Sequence, residues 1–158
     1  QNLESIELSD VKILVRSLKM ITGQDDSGNV KTDPFVVALD LNGNINTVAA
    51  ADMPDASYEK IKFQIHKLDS LTTPPDPEFA DEFGRYSAIV RGVYEGIEFI
   101  YKSKKSAKQI IRLDNPVTLE EDGSVNVTLI VNPYDWFEDN GQVLDPTDKQ
   151  NENDEELI

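Results

Sequence analysis

The chain has 158 residues, 39% of them hydrophobic, and a formal net charge of −15. That length suits one domain with one core, and the charge argues against nucleic acid or anionic lipid headgroups as partners, because both need clustered Lys and Arg. With no cysteine in the chain, a disulfide scaffold, a zinc ribbon and a thiol nucleophile are excluded.

In chain order, no Met start or leader precedes Gln1, so the sequence reads as a processed or trimmed chain. Nowhere does it approach the ~20 consecutive apolar residues of a membrane span. Val11, Ile13 and Val15 alternate with Lys12, Leu14 and Arg16, which predicts a strand with one buried face. DDSGN at 25–29 is turn chemistry. Phe35, Val37, Leu39 and Leu41 form a second alternating run, closed by the Asn-Gly turn of LNGN. A few helical residues are expected within 48–60, with Asp52 or Asp55 as cap. Ile61, Phe63 and Ile65 alternate with Lys60, Lys62, Gln64 and His66 in a third strand.

TTPPDPEF holds Pro74, Pro75 and Pro77. It can be neither helix nor inner strand and reads as a stiff crossover between two groups of strands. Further strands are predicted at 86–94, 97–101, 109–113 and 117–119, the first two joined by the YEG turn. EEDGS then leads into Val125, Val127, Leu129 and Val131. Seven to nine short strands of this kind predict an all-β, antiparallel β-sandwich. Residues 1–134 would hold the sandwich. Residues 135–158 carry nine acids against the single base Lys149 and would form an acidic loop and tail packed on the same domain or leaving it.

Catalytic signals are weak. The single His66 has no orienting partner beside it, and no GxSxG, SxxK, HExxH or Walker loop is present. The expectation is a protein that is not an enzyme and requires no cofactor.

Calcium is the one ion the acids would suit, since hard cations gather several oxygens. The stretch VNPYDWFEDNGQVLDPTD supplies Asp135, Glu138, Asp139, Asp145 and Asp148 as candidate ligands; the plainer reading is a solvated acidic tail. A second candidate, DLNGNIN, offers Asp40, Asn42 and Asn44, but Ile45 and Ala51 stand where a calcium loop needs Gly and Glu, and a tight turn is favoured. Tyr134, Trp136 and Phe137 are candidates for stacking on a sugar or anchoring a protein partner; covering an open end of the sandwich is the alternative, and is favoured. Lys102, Lys104, Lys105, Lys108 and Arg112 form the one basic run, suited to receiving acids from the tail or a neighbouring copy. Asp69-Ser70-Leu71 fits the short O-glycosylation pattern of Bacteroidota at Ser70, and Asn126-Val127-Thr128 is a formal sequon inside a predicted strand.

Several of these segments together resemble a family. VKILVRSLKM, PFVVALDLNG, DMPDASYEKIKFQIHKLD, RYSAIVRGVYEGIEFIYKS and VTLIVNPYDWFEDNGQVLDPTD are similar, over roughly residues 8–148, to the DUF4382-like surface or periplasmic lipoproteins of Bacteroidota. The resemblance implies a sandwich of transthyretin or immunoglobulin type. It also implies an extracytoplasmic location at the bacterial surface, in the periplasm or secreted, and a lipid anchor on a segment absent here. It makes Tyr58 a structural residue, a corner tyrosine bonding backbone.

The function expected is a non-enzymatic exported or cell-surface binding or adhesion module, with calcium as an assisting ion. Its partner would be a surface protein or glycan, with no nucleic acid and no transmembrane span. The alternative is a structural subunit that associates with copies of itself through edge strands or its C-terminal segment.

Overall fold

The computed structural model describes residues 6–23, 29–42, 56–118 and 131–147. The expected strand through Val125, Val127 and Leu129, and most of the expected helical stretch at 48–60, lie outside them. The described strands are β1 (Ile6–Thr22), β2 (Val30–Lys31), β3 (Phe35–Ala38), β4 (Ser57–Ile65), β5 (Ala80–Asp81), β6 (Gly84–Arg85), β7 (Ala88–Tyr94), β8 (Ile97–Ser103), β9 (Ala107–Thr118), β10 (Glu138–Asp139) and β11 (Gln142–Val143). Short 3-10 turns occur at Pro77–Phe79 and Pro133–Phe137. The protein is all-β and antiparallel, and its main sheet curls into a half-barrel, consistent with a β-sandwich. Among the described residues no helix is long and apolar enough to cross a membrane.

β1 organises the main sheet. Its first half pairs with β7, from Ile6 opposite Tyr94 to Ile13 opposite Ala88. Its second half pairs with β4, from Val15 opposite Ile65 to Thr22 opposite Tyr58. Both partners lie on the same edge: the Leu14 amide donates to the Ser87 carbonyl (2.8 Å), and the Leu14 carbonyl accepts from the His66 amide (3.3 Å). β3 and β2 occupy the opposite edge, again one per half. The register with β4 shifts at Arg16, between Val15 and Ser17. Such a bulge bends a strand and reverses which face each later side chain takes.

The neighbouring tiers break at the same level. β2 and β3 are separated by Thr32, Asp33 and Pro34. β4 and β7 are separated by the excursion 66–87. β8 leaves β7 at Ser103, and β9 joins β4 at Ala107. The sheet therefore folds along one line into a first leaf (β3, the first half of β1, β7, β8) and a second leaf (β2, the second half of β1, β4, β9).

The first leaf is covered on both faces. Val11, Ile13, Leu14 and Val15 are all fully buried, although the alternating pattern groups Leu14 with Lys12 and Arg16 on the polar side. The excursion is the reason: Leu68, Phe79 and Tyr86 pack with Leu14 and Ile89 on one face. On the other face the C-terminal segment packs over Ile6, Leu8, Val11, Val90, Phe99 and Tyr101. A strand covered on both sides tolerates a continuous apolar run. The second leaf buries Met20, Tyr58 and Ile61 on its inner face. Gly92 is required where β1, β7 and β8 lie side by side. A Cβ there would stand 2.4 Å from the Glu7 carbonyl oxygen and 3.0 Å from the Phe99 ring.

The C-terminal segment is held by local chemistry. The Asn132 side chain accepts from the Tyr134 amide at the start of the 3-10 turn, with Pro133 in the first turn where a missing N–H costs nothing. Asn140 and Gly141 both take positive φ (49° and 79°) and turn β10 into β11. The expected division at residue 134 falls inside the turn Pro133–Phe137, and Phe137 beyond it is fully buried, so residues 135–144 belong to the same core as the strands. Replacing Phe137 with Ala should cost about 3–5 kcal/mol, as for other buried aromatics, and red-shift Trp136 emission. Urea titration followed by fluorescence measures both; a loss below ~1 kcal/mol would show that the segment only rests on the sheet.

Candidate functional site

The expected calcium ligands do not converge. Asp135 accepts from the Asn132 amide group (2.7 Å), Asp139 from that of Asn140 (2.8 Å), and Asp145 from the Thr147 hydroxyl and amide. Glu138 is exposed on the β10 ribbon, and Asp148 lies outside the described residues. Among the described residues no group of three or more His, Cys, Asp or Glu side chains is placed to hold a metal. The physical reason is that Asp135, Asp139 and Asp145 are each used by a neighbouring polar group. Of the second candidate set, Asp40 accepts from the Asn42 amide (2.7 Å) in a tight turn, and Asn44 is outside the described residues.

The aromatic trio packs on the first leaf. Phe137 has no exposure and meets Phe99 and Tyr101 edge-on at 6.0 and 5.7 Å. The Tyr134 hydroxyl accepts from the Leu8 amide (3.3 Å), and Trp136 packs half-buried against the same cluster. Ser70 is exposed in a turn whose carbonyl accepts from Arg85 (3.1 Å).

Two charged arrangements do form. The first pins the excursion to the first leaf. Lys12 bridges Asp76 (3.0 Å) and Glu78 (2.7 Å), while Arg91 bridges Asp10 and Glu78 (2.7 Å each). Beside it, Asp81 collects the amides of Phe83 and Gly84, the Tyr86 hydroxyl and the Lys102 ammonium. Lys102 and Lys104 also lie over the Tyr86 ring. These contacts hold a loop in place and leave no open cation.

The second is an open face of the second leaf. Lys31 stands opposite Lys19, and Lys19 opposite Lys62, in one row across β2, β1 and β4. On β9, Lys108 and Arg112 stand opposite Gln64 and Lys60. Lys60 and Lys62 alternate with the buried Ile61 and Phe63, so all six cations project from the outer face. Ile110, 53% exposed, lies among them, and Asp114 closes one end on the same phase of β9. Lys108 first, then burial, with Lys19 and Lys31 adding to it, holds the Lys62 ammonium below its ordinary range. Among the described residues, no ion pair joins Lys31, Lys60, Lys62, Lys108 or Arg112 to a carboxylate. Like charges placed directly opposite destabilise a sheet.

The basic run at 102–112 is thus divided. Lys102 and Lys104 are taken up by Asp81, Tyr86 and the Phe83 carbonyl, while Lys108 and Arg112 join lysines from three other strands. The signal available in the sequence was the recurrence of Lys on the polar phase of separate strands in so acidic a chain. No protein-family model, curated protein or solved structure matches this chain.

Two outcomes follow from this geometry. The Lys102 and Tyr86 hydrogen bonds, foremost, bring the Asp81 carboxyl from 3.8 to about 2. A carboxyl depressed on folding stabilises above its unfolded range, and that contribution is lost as pH falls from about 4 to about 2. Asp81→Asn should lower stability at neutral pH and flatten the acid limb of unfolding below pH 4; an unchanged limb in an acid titration followed by circular dichroism would count against the contact. Lys62→Gln should raise the thermal midpoint at low ionic strength by relieving repulsion, and the difference should close in about 0.5 M salt, where screening is strong.

Proposed function

We propose that the protein is a non-enzymatic binding module acting outside the cytoplasm, and that it engages an acidic polypeptide partner through the outer face of its second leaf. The carrying observation is the six-cation face formed by Lys19, Lys31, Lys60, Lys62, Lys108 and Arg112 in a chain of net charge −15. The resemblance to exported surface proteins is the basis for the location.

The net charge does not silence this face, because charges separated by more than a Debye length of ~8 Å at physiological salt act almost independently. Its extent sets the partner class. Four strands at ~4.8 Å spacing make a patch about 15 Å across. A long phosphate polymer or a membrane plane would overrun it onto acidic surface. A compact acidic patch of a protein would not, and Ile110 offers it an apolar contact between the charges. Five of the six cations are lysines, point charges that do not impose the bidentate geometry of arginine.

Fluorescence anisotropy with a labelled decaglutamate probe tests this reading. The protein should bind with an affinity that falls as salt rises, and Lys19→Glu/Lys62→Glu should weaken binding at least tenfold. Equal binding by the two proteins would remove the face from the function.

A further inference from the structure

The outer edge of β8 is matched to a second copy of itself. β8 ends the strand order β8-β7-β1-β4-β9, and among the described residues no strand pairs with that edge. The β7–β8 turn has two residues, Glu95 and Gly96, both with positive φ (49° and 83°). Such a turn makes Tyr94 and Ile97, which stand opposite each other, the first hydrogen-bonded pair of the hairpin. Bonded pairs alternate along an antiparallel ladder, so Gly92 with Phe99, Val90 with Tyr101 and Ala88 with Ser103 are bonded as well. The amides and carbonyls of Glu98, Ile100 and Lys102 therefore point away from β7, toward the edge.

The side chains of these three residues share the face opposite the buried Phe99 and Tyr101. Ile100 is 60% exposed. Glu98 is exposed and enters no ion pair among the described residues. Lys102 bonds Asp81 (2.8 Å), which uses one of the three donors of an ammonium group.

An edge with its backbone groups unpaired is a template for another strand, and here the order of side chains selects the strand and the register. An antiparallel pair of β8 strands centred on Ile100 sets Ile100 opposite Ile100 and Glu98 opposite Lys102. Centred on Glu98 or on Lys102, the pair would set like charges opposite each other, which destabilises a sheet. Centred on Phe99 or on Tyr101, it would set Ile100 against a charge.

We infer that two copies pair antiparallel through β8, about a two-fold axis at Ile100. The main-chain groups of Glu98, Ile100 and Lys102 bond across the axis. Glu98 of each copy faces Lys102 of the other, and the two Ile100 side chains meet on the outer face, so the first leaf runs on from one copy into the next. The β5–β6 hairpin stands at the Lys102 end of the strand, where the Lys104 ammonium donates to the Phe83 carbonyl (3.0 Å). Phe83 is 76% exposed, and the partner's Ile97, 63% exposed in the single chain, arrives at that end. The same surface serves both copies, so the contact is isologous and closes at the dimer. β8 belongs to the first leaf and the basic face to the second, so this pairing stands or falls separately from the binding role proposed above.

Sedimentation velocity over a hundredfold concentration range is the test. The expected result is a sedimentation coefficient that rises from the monomer value to the dimer value and stops there. Glu98→Lys and Lys102→Glu should each weaken dimerisation by about tenfold or more, because each inverts two cross-strand pairs at once. Mixed in equal amounts, the two variants should dimerise with each other, since every charge then faces its opposite; two merely misfolded variants would not recover in this way. Ile100→Lys, which sets like charges on the axis, should abolish the dimer. A wild-type protein that stays monomeric overturns the pairing, whether or not it binds decaglutamate. Growth past the dimer overturns the two-fold contact, and a dimer untouched by Glu98→Lys and Ile100→Lys overturns the assigned strand. A dimer that those two variants dissolve but that fails to bind decaglutamate supports the pairing and removes only the basic face.

Discussion

The architecture depends on one strand serving two leaves along a single edge. At Leu14 the amide faces the beginning of β7 and the carbonyl faces the end of β4. The bulge at Arg16 lets the strand bend at that point without losing its ladder. Every neighbouring tier is interrupted at the same level, so the sheet can turn a corner with few unpaired backbone groups. The excursion 66–87 exists because β4 and β7 share an edge and the chain must leave and return at the break. Its prolines keep it out of the ladder, and Phe79 and Tyr86 turn it into a cover over Leu14 and Ile89.

Charge is partitioned along the same line. On the first leaf Lys12 and Arg91 each bridge two acids and share Glu78, and Lys102 pairs with Asp81. These pairs are partly exposed, so their individual contributions to stability are small; their effect is to fix where the excursion sits. On the second leaf six cations share one surface, with Asp114 at its margin. A surface optimised for stability would interleave signs across strands. The departure from that rule is what gives the face its functional reading.

The aromatic-rich C-terminal segment shows how composition can mislead about role. Acids and aromatics in alternation suggest an ion or sugar site, yet Asp135 is used by Asn132, Asp139 by Asn140 and Asp145 by Thr147. Short polar side chains near turns are used locally first. Once Phe137 is inserted between Phe99 and Tyr101, the flanking residues are committed to holding it there.

Much of this was legible in the amino-acid order. Alternating apolar residues around Ile61, the Tyr94–Gly96 turn and the proline-rich crossover were each determined locally, by side-chain period and backbone sterics, and they suffice for an antiparallel all-β chain. The burial of Leu14 on the nominally polar side of β1 was not legible, because it depends on a loop some sixty residues away folding back over that face. Nor was the basic face. Lys31, Lys19 and Lys62 belong to three strands, and a period of two determines which face a side chain takes but not which strand lies beside it. The sequence by itself determined the strands, the turns and the excess of negative charge. Only the tertiary structure decided that the cations meet on one leaf, because cross-strand register and the bend at Arg16 arise from packing the whole sheet at once.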